Sequence, residues 1–266
     1  MSYYANSNGV KIHYQIRGEG APLVLIMGFG ADGNVWEKHL QVYEKHFKCI
    51  VIDNRGVGLS SQPKGPYSTA MMADDTAAVM DDAGVAKACI AGISMGGTIA
   101  QELALRHPDK VEKLVLACTW PSFNDYAKAV YKNLKKLRIT SKPEDFMALI
   151  QLWIFAPPYF KENSKDLKEG REGAANNPNP QSQDGFEGQL EACINHNTED
   201  RLQNIKVPTM ITVGEMDIFT PPEFSDILAE NIKGAVYAKY PNAGHAHHWE
   251  DLERFNRETL AFLKAP

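Results

Sequence analysis

The chain has 266 residues, 44% of them apolar and 23% charged, with a net charge of −5 at neutral pH. That balance suits a soluble globular protein with room for one large α/β domain, or a core plus a modest insertion, buried without disulfides or structural metal. The acidic surface argues against nucleic acid or an anionic membrane as the main partner, and no run approaches the ~18 apolar residues needed to cross a bilayer.

VKIHYQIR (10–17) alternates with period two and precedes a turn at GEGAP. PLVLIM (22–27) and KCIVID (48–53) are short continuous apolar runs, as in strands covered on both faces. Between them, residues 35–46 carry apolar side chains at helical spacing. A helical stretch at 69–83 leads to ACIAG (88–92), then a helix over GGTIAQELALRH stopped by Pro108, then the apolar run KLVLACTW (113–120). From 121 to 206 the rhythm breaks: PEDFMALIQLWIF is amphipathic and NNPNPQSQDG reads as a loop. It resumes with VPTMITV (207–213), a helix over PPEFSDILAENI, the strand AVYAKY and a last helix over about 250–263. The expected fold is α/β, a mostly parallel sheet with helices on both faces, its core formed by 1–120 and 207–266 and interrupted by a helical insertion at 121–206. The N-terminal residues show no basic segment followed by an apolar stretch, so a cytoplasmic protein is the expectation. Cys49, Cys89, Cys118 and Cys193 have no C-x-x-C spacing and read as buried thiols.

The strongest chemical signal is AGISMGG. Gly92-Ile93-Ser94-Met95-Gly96 is G-x-S-x-G between a strand and a helix, where a tight turn forces the central serine into a strained conformation and exposes it. Helix onset beside it supplies free N–H groups and positive dipole. A serine nucleophile needs a base and an orienting carboxylate. Asp217, in VGEMDIFTPP, and His245, in NAGHAHHWE, follow the next two strand-like runs, which puts both on the sheet edge that carries Ser94. Glu215 is the rival carboxylate. H-A-H-H at 245–248 hints at a metal, but no carboxylate or cysteine cluster accompanies it, so none is expected. His13, His39, His46, His107 and His196 read as surface or structural residues.

Gly28-Phe29-Gly30-Ala31-Asp32-Gly33 is a literal G-x-G-x-x-G, with Asp53 about where a ribose-binding carboxylate would stand. That pattern admits an NAD-dependent oxidoreductase. The alternative gives each residue a role in acyl transfer: Gly28 turns the chain, and the N–H of Phe29 joins that of Met95 in an oxyanion hole. The elbow downstream in the same sheet favours this second reading.

MGFG after an early strand, DNRGVGLSS (53–61) after the next, GISMGG at the elbow, GEMD and AGH together resemble the α/β-hydrolase fold superfamily over nearly the whole chain. The resemblance implies that residues 121–206 form a helical cap over the site and that DNRGVGLSS shapes the site's edge. One departure is Met27-Gly28, where many relatives carry His-Gly; the backbone donors survive it. Serine at the nucleophile position sets aside the epoxide hydrolase and haloalkane dehalogenase branches, which carry Asp. The pattern is most similar to carboxylesterases and 3-oxoadipate enol-lactonase-like lactonases. Cofactor-free haloperoxidases (perhydrolases) and C–C bond hydrolases share the triad. The expectation is a cofactor-free serine hydrolase of a small ester or lactone. A ligand receptor on the same fold stays open, as does a homodimer through the cap or the final helix. Phe29, Met95, Trp120, Trp153, Phe155 and Phe219 are candidates for an apolar pocket, and KNLKKLR (132–138) reads chiefly as a solvated helix face.

Overall fold

The structure, a computed structural model, describes residues 1–265. Eight strands, β1 (Ser2–Ser7), β2 (Val10–Arg17), β3 (Ala21–Ile26), β4 (Phe47–Ile52), β5 (Ala88–Ile93), β6 (Val111–Ala117), β7 (Thr209–Gly214) and β8 (Val236–Tyr240), form one sheet in the order 1-2-4-3-5-6-7-8. β2 runs antiparallel to both β1 and β4, and every other pairing is parallel. β1 was not expected from the sequence. Its residues, SYYANS, are mostly polar, and it forms an edge strand held by its register with β2.

The central strands are apolar throughout because helices cover both faces. In β3, Val24 and Ile26 face one core while Leu23 and Leu25 face the other. Among the described residues the α-helices are α1 (Glu37–Tyr43), α2 (Thr69–Asp82), α3 (Met95–Arg106), α4 (Asp125–Thr140), α5 (Pro143–Ile154), α6 (Pro157–Glu162), α7 (Ser164–Ala175), α8 (Gln183–Asn195), α9 (Pro222–Asn231), α10 (His247–Glu250) and α11 (Leu252–Lys264). Met72 and Met80 of α2, Ile99 and Leu103 of α3, and Leu228 of α9 pack on the first face. Leu40 of α1 and Phe255 and Leu263 of α11 pack on the second. Each such fully buried side chain contributes roughly 1.5–3 kcal/mol relative to leaving it in water.

Helices α4–α8 fall between β6 and β7 in the chain, so the expected interruption of the strand rhythm is there. The loop expected over NNPNPQSQDG ends early. α8 begins at Gln183 because the Ser182 side chain caps it, accepting from the Gly185 N–H. All four cysteines are free and buried. Among the described residues no helix is long and apolar enough to cross a membrane, and no group of three or more His, Cys, Asp or Glu side chains is arranged to hold a metal.

Candidate active site

Ser94 sits between β5 and α3 with φ 57° and ψ −119°, in the left-handed half of the map that a side chain rarely adopts. The glycines around it are required by space. A Cβ on Gly92 would come within 2.2 Å of the Gly96 carbonyl oxygen, and one on Gly96 within 2.1 Å of the Ile26 carbonyl oxygen. The turn is pinned at both ends of Ser94: its N–H donates to the Ala117 carbonyl (2.8 Å), and its own carbonyl accepts from the Thr119 hydroxyl (2.8 Å).

Asp217 lies just past β7 with its carboxylate fully buried. Oδ1 accepts from the N–H groups of Phe219 and Thr220, and Oδ2 lies 2.9 Å from Nδ1 of His245, which follows β8. Two lone pairs held by backbone donors leave the carboxylate fixed in orientation, aimed at the imidazole. Glu215, its rival, is exposed. Burial opposes a charge on His245, but the Cys118 sulfur and the Asp217 carboxylate favour one, and its pKa lies well above the ordinary imidazole value. Phe219 meets the ring edge-on at 5.1 Å. Ser94 and His245 line one cavity without a hydrogen bond between them, an arrangement common before substrate tightens such sites.

Beside Ser94 runs the loop after β3. A Cβ on Gly28 would lie 3.0 Å from the Ser94 Cβ, so the loop backbone rests against the serine. Among the described residues, neither the Phe29 N–H nor the Met95 N–H, the first of α3, donates a hydrogen bond. The loop is held from outside. Asn54 donates to the Met27 carbonyl (2.8 Å), Gly33 N–H donates to Asp53 (2.8 Å), and Gly30 N–H donates to Gln189 of α8 (2.9 Å). Gln189 in turn donates to the Arg55 carbonyl (2.8 Å), while the Arg55 guanidinium makes a two-pronged buried ion pair with Asp75. The same contacts dispose of the dinucleotide reading. The Asp53 carboxylate is buried and already accepts from Gly33 N–H and Leu59 N–H and pairs with the His13 ring, so it is occupied within the fold and not presented to a ribose.

A cavity of about 550 Å³ opens over Ser94 and His245, between the sheet edge and the inserted helices. Phe29, Phe155 and Phe219 line it. Three expected pocket residues, Trp120, Trp153 and Met95, do not. Trp120 is fully buried and stacks on Phe123 at 4.2 Å, because the chain leaving β6 turns it into the core. Trp153 faces a separate shallow cleft with Val130 and Leu134 of α4. The Met95 side chain is packed in the core, so that residue offers the site only its N–H. From the basic run on α4, Arg138 does reach the cavity, its guanidinium lying over Phe146 and Phe186 and donating to the Gln181 carbonyl.

Sequence reasoning missed four residues here. Thr220 places its hydroxyl 2.9 Å from both Asp217 Oδ2 and His245 Nδ1, and a hydroxyl three residues past the carboxylate was the available signal. Gln189 had none. Tyr131 of α4 buries its hydroxyl beside Ser94 without a hydrogen-bond partner, and burial raises its pKa far above 10, so it stays a neutral donor. His248 lines the cavity, and its Nδ1 lies 3.1 Å from Nε2 of His39.

A family model for the alpha/beta hydrolase fold matches residues 21–252. The chain belongs to that family. It is 30% identical over 260 residues to a putative carbamate hydrolase, RutD, of Azorhizobium caulinodans, covering 97% of each chain. It is 28% identical over 270 residues to a putative non-heme bromoperoxidase, BpoC, of Mycobacterium tuberculosis, covering 96% of this chain and 98% of the relative. The enol-lactonase of Burkholderia xenovorans superposes with a TM-score of 0.90 at 27% identity, over 99% of this chain and 100% of that one. The α/β-hydrolase core and its hydrolase character therefore stand on sequence, fold and relatives together.

Proposed function

We propose that this hydrolase cleaves a small carboxylic ester or lactone through an acyl-enzyme on Ser94, beneath a cap formed by residues 121–206. The observation that carries the reading is the convergence at one cavity of a strained serine, a carboxylate-held histidine and two idle backbone N–H groups. In the first step His245 takes the Ser94 proton as Oγ bonds to the substrate carbonyl carbon, and the negative charge moves to the carbonyl oxygen beside the Phe29 and Met95 N–H groups. The C–O bond to the leaving alcohol then breaks, with His245 returning its proton to the alkoxide. Water repeats the sequence, and the acid departs. Asp217 holds the imidazole tautomer throughout, and Thr220 steadies the pair.

The carbamate hydrolase relative supports a second reading, since the same attack on a carbamate carbonyl needs no further residue. The predominantly aromatic and aliphatic wall built by Phe29, Phe146, Ile150 and Phe155 favours an apolar ester or lactone over a small polar carbamate. Acid release from phenyl acetate, from a small lactone and from phenyl carbamate, each with wild type and Ser94→Ala, decides between them. Turnover of ester or lactone by wild type alone is the expected result. Wild type inert on all three sinks the hydrolytic reading.

A further inference from the structure

Three side chains behind the cavity form a relay that the acyl-transfer steps above do not use. His39 of α1 and Asn256 of α11 are buried, and Nδ1 of His39 lies 2.6 Å from Oδ1 of Asn256. Its other nitrogen, Nε2, lies 3.1 Å from Nδ1 of His248. An amide oxygen only accepts, so His39 must carry its proton on Nδ1, and its Nε2 is then a lone pair. That lone pair requires a proton on His248 Nδ1. A neutral His248 therefore has a bare lone pair on Nε2. Among the described residues the one hydrogen bond of the ring is that at Nδ1, and His248 is part of the cavity wall. Neutrality follows from the site: burial holds His39 down at about 4, and it holds His248 well below the ordinary imidazole value.

We propose that the Asn256–His39–His248 relay presents His248 Nε2 to the cavity as a fixed hydrogen-bond acceptor, selecting esters or lactones that carry an N–H or O–H donor, such as a secondary amide, away from the scissile carbonyl. This rests on the hydrolytic reading above and names the substrate class for the same cavity. The wall around it is largely apolar, so one acceptor there discriminates strongly: a donor that finds it is satisfied, whereas a substrate lacking one leaves the nitrogen dry and unpaired. The acceptor sense is set from outside the site, by the Asn256 oxygen two side chains away.

The test uses a matched pair of aryl esters whose acyl chains differ only in an amide N–H replaced by CH2. Wild type should prefer the N–H compound roughly fivefold to tenfold in kcat/KM, the worth of one neutral hydrogen bond. His248→Phe should abolish that preference while still hydrolysing the CH2 compound. Because the readout is a ratio, a variant that is merely less stable lowers both rates and leaves the preference standing, which overturns the proposal. Equal wild-type rates on the two compounds overturn it as well. Hydrolysis of neither compound by wild type would instead remove the hydrolytic reading beneath it. In 15N-histidine NMR spectra of the wild type, the His248 proton should reside on Nδ1, and a proton on Nε2 would refute the relay's direction.

Discussion

At the sheet edge, Ser94, Asp217 and His245 follow the ends of β5, β7 and β8 by one, three and five residues. The inserted helices reach the same cavity differently, with Arg138, Phe155 and Phe186 drawn from three separate places along the insertion. The first set is positioned by local backbone geometry, which glycine spacing and strand endings announce. The second is positioned by how helices pack on a distant surface, which no short window contains. Roles at the edge should accordingly be severe and specific when broken. Those of the insertion should be graded.

The largest effect belongs to Ser94→Ala. Its kcat should fall on the order of 10⁶-fold with an unchanged melting temperature, since the hydroxyl has no structural duty in the turn. Activity much above background would move the nucleophile elsewhere. Asp217→Asn comes next, with a loss on the order of 10⁴-fold, because an amide in that position presents a donor to the imidazole and favours the wrong tautomer. It should also lower the pH of the acid limb of the residual activity, as the carboxylate that favours the imidazolium is gone. A limb that stays in place would assign the raised histidine pKa to some other group.

A third effect concerns the fold behind the edge. Burial, the main cause in each, holds His39 at about 4 and His247 at about 3, below the 6.5 of a free imidazole. The unfolded chain therefore takes up more protons than the folded one as pH falls below 6.5, and stability falls with it, on the order of 3 kcal/mol for His39 alone by pH 4. His245 has the opposite sign: its raised pKa contributes stability that is complete in acid and is lost as pH rises through the folded value. It offsets part of the decline. Denaturant titrations at pH 7 and pH 5 should still show a net loss at the lower pH, and constant stability would mean that these rings are not buried as neutral species.

Gln189→Ala probes the insertion's hold on the edge. It leaves the Gly30 N–H and the Arg55 carbonyl without their partner, at a cost of about 1–3 kcal/mol per unsatisfied buried group. With the loop freed, the Phe29 N–H drifts from the oxyanion position, and kcat should fall roughly tenfold while KM changes little. A change confined to KM would make Gln189 a pocket wall and not a positioning residue.

The sheet and its two faces were legible because parallel strands covered on both sides leave unbroken apolar runs. The serine, its histidine and carboxylate were legible because each sits where a strand ends. The polar edge strand β1 escaped, since its burial pattern follows from its neighbour and not from its own composition. Thr220 was within reach, and the Gln189 clamp and the His39–His248 pair were not. Gly30 and Gln189 are separated by 159 residues, and His39 and His248 by 209.

Trp153 and Phe155 show the limit most sharply, because they stand two residues apart and were read alike. Helix α5 ends at Ile154, whose carbonyl accepts from the Ala246 N–H next to His245. The Ala156 N–H then donates to Glu250, which also holds the Gly244 N–H. Those three bonds tie residues 154–156 to the histidine loop and turn Phe155 into the cavity wall. Trp153, two residues earlier in the last turn of the helix, is left facing α4. Phe155→Ala should thus raise KM for an aromatic ester several-fold, whereas Trp153→Leu should change kcat/KM by less than about twofold, as expected for a partly exposed side chain that touches no substrate. A Trp153→Leu effect as large as that of Phe155→Ala would mean that the α4–α5 cleft and the cavity communicate when substrate is bound.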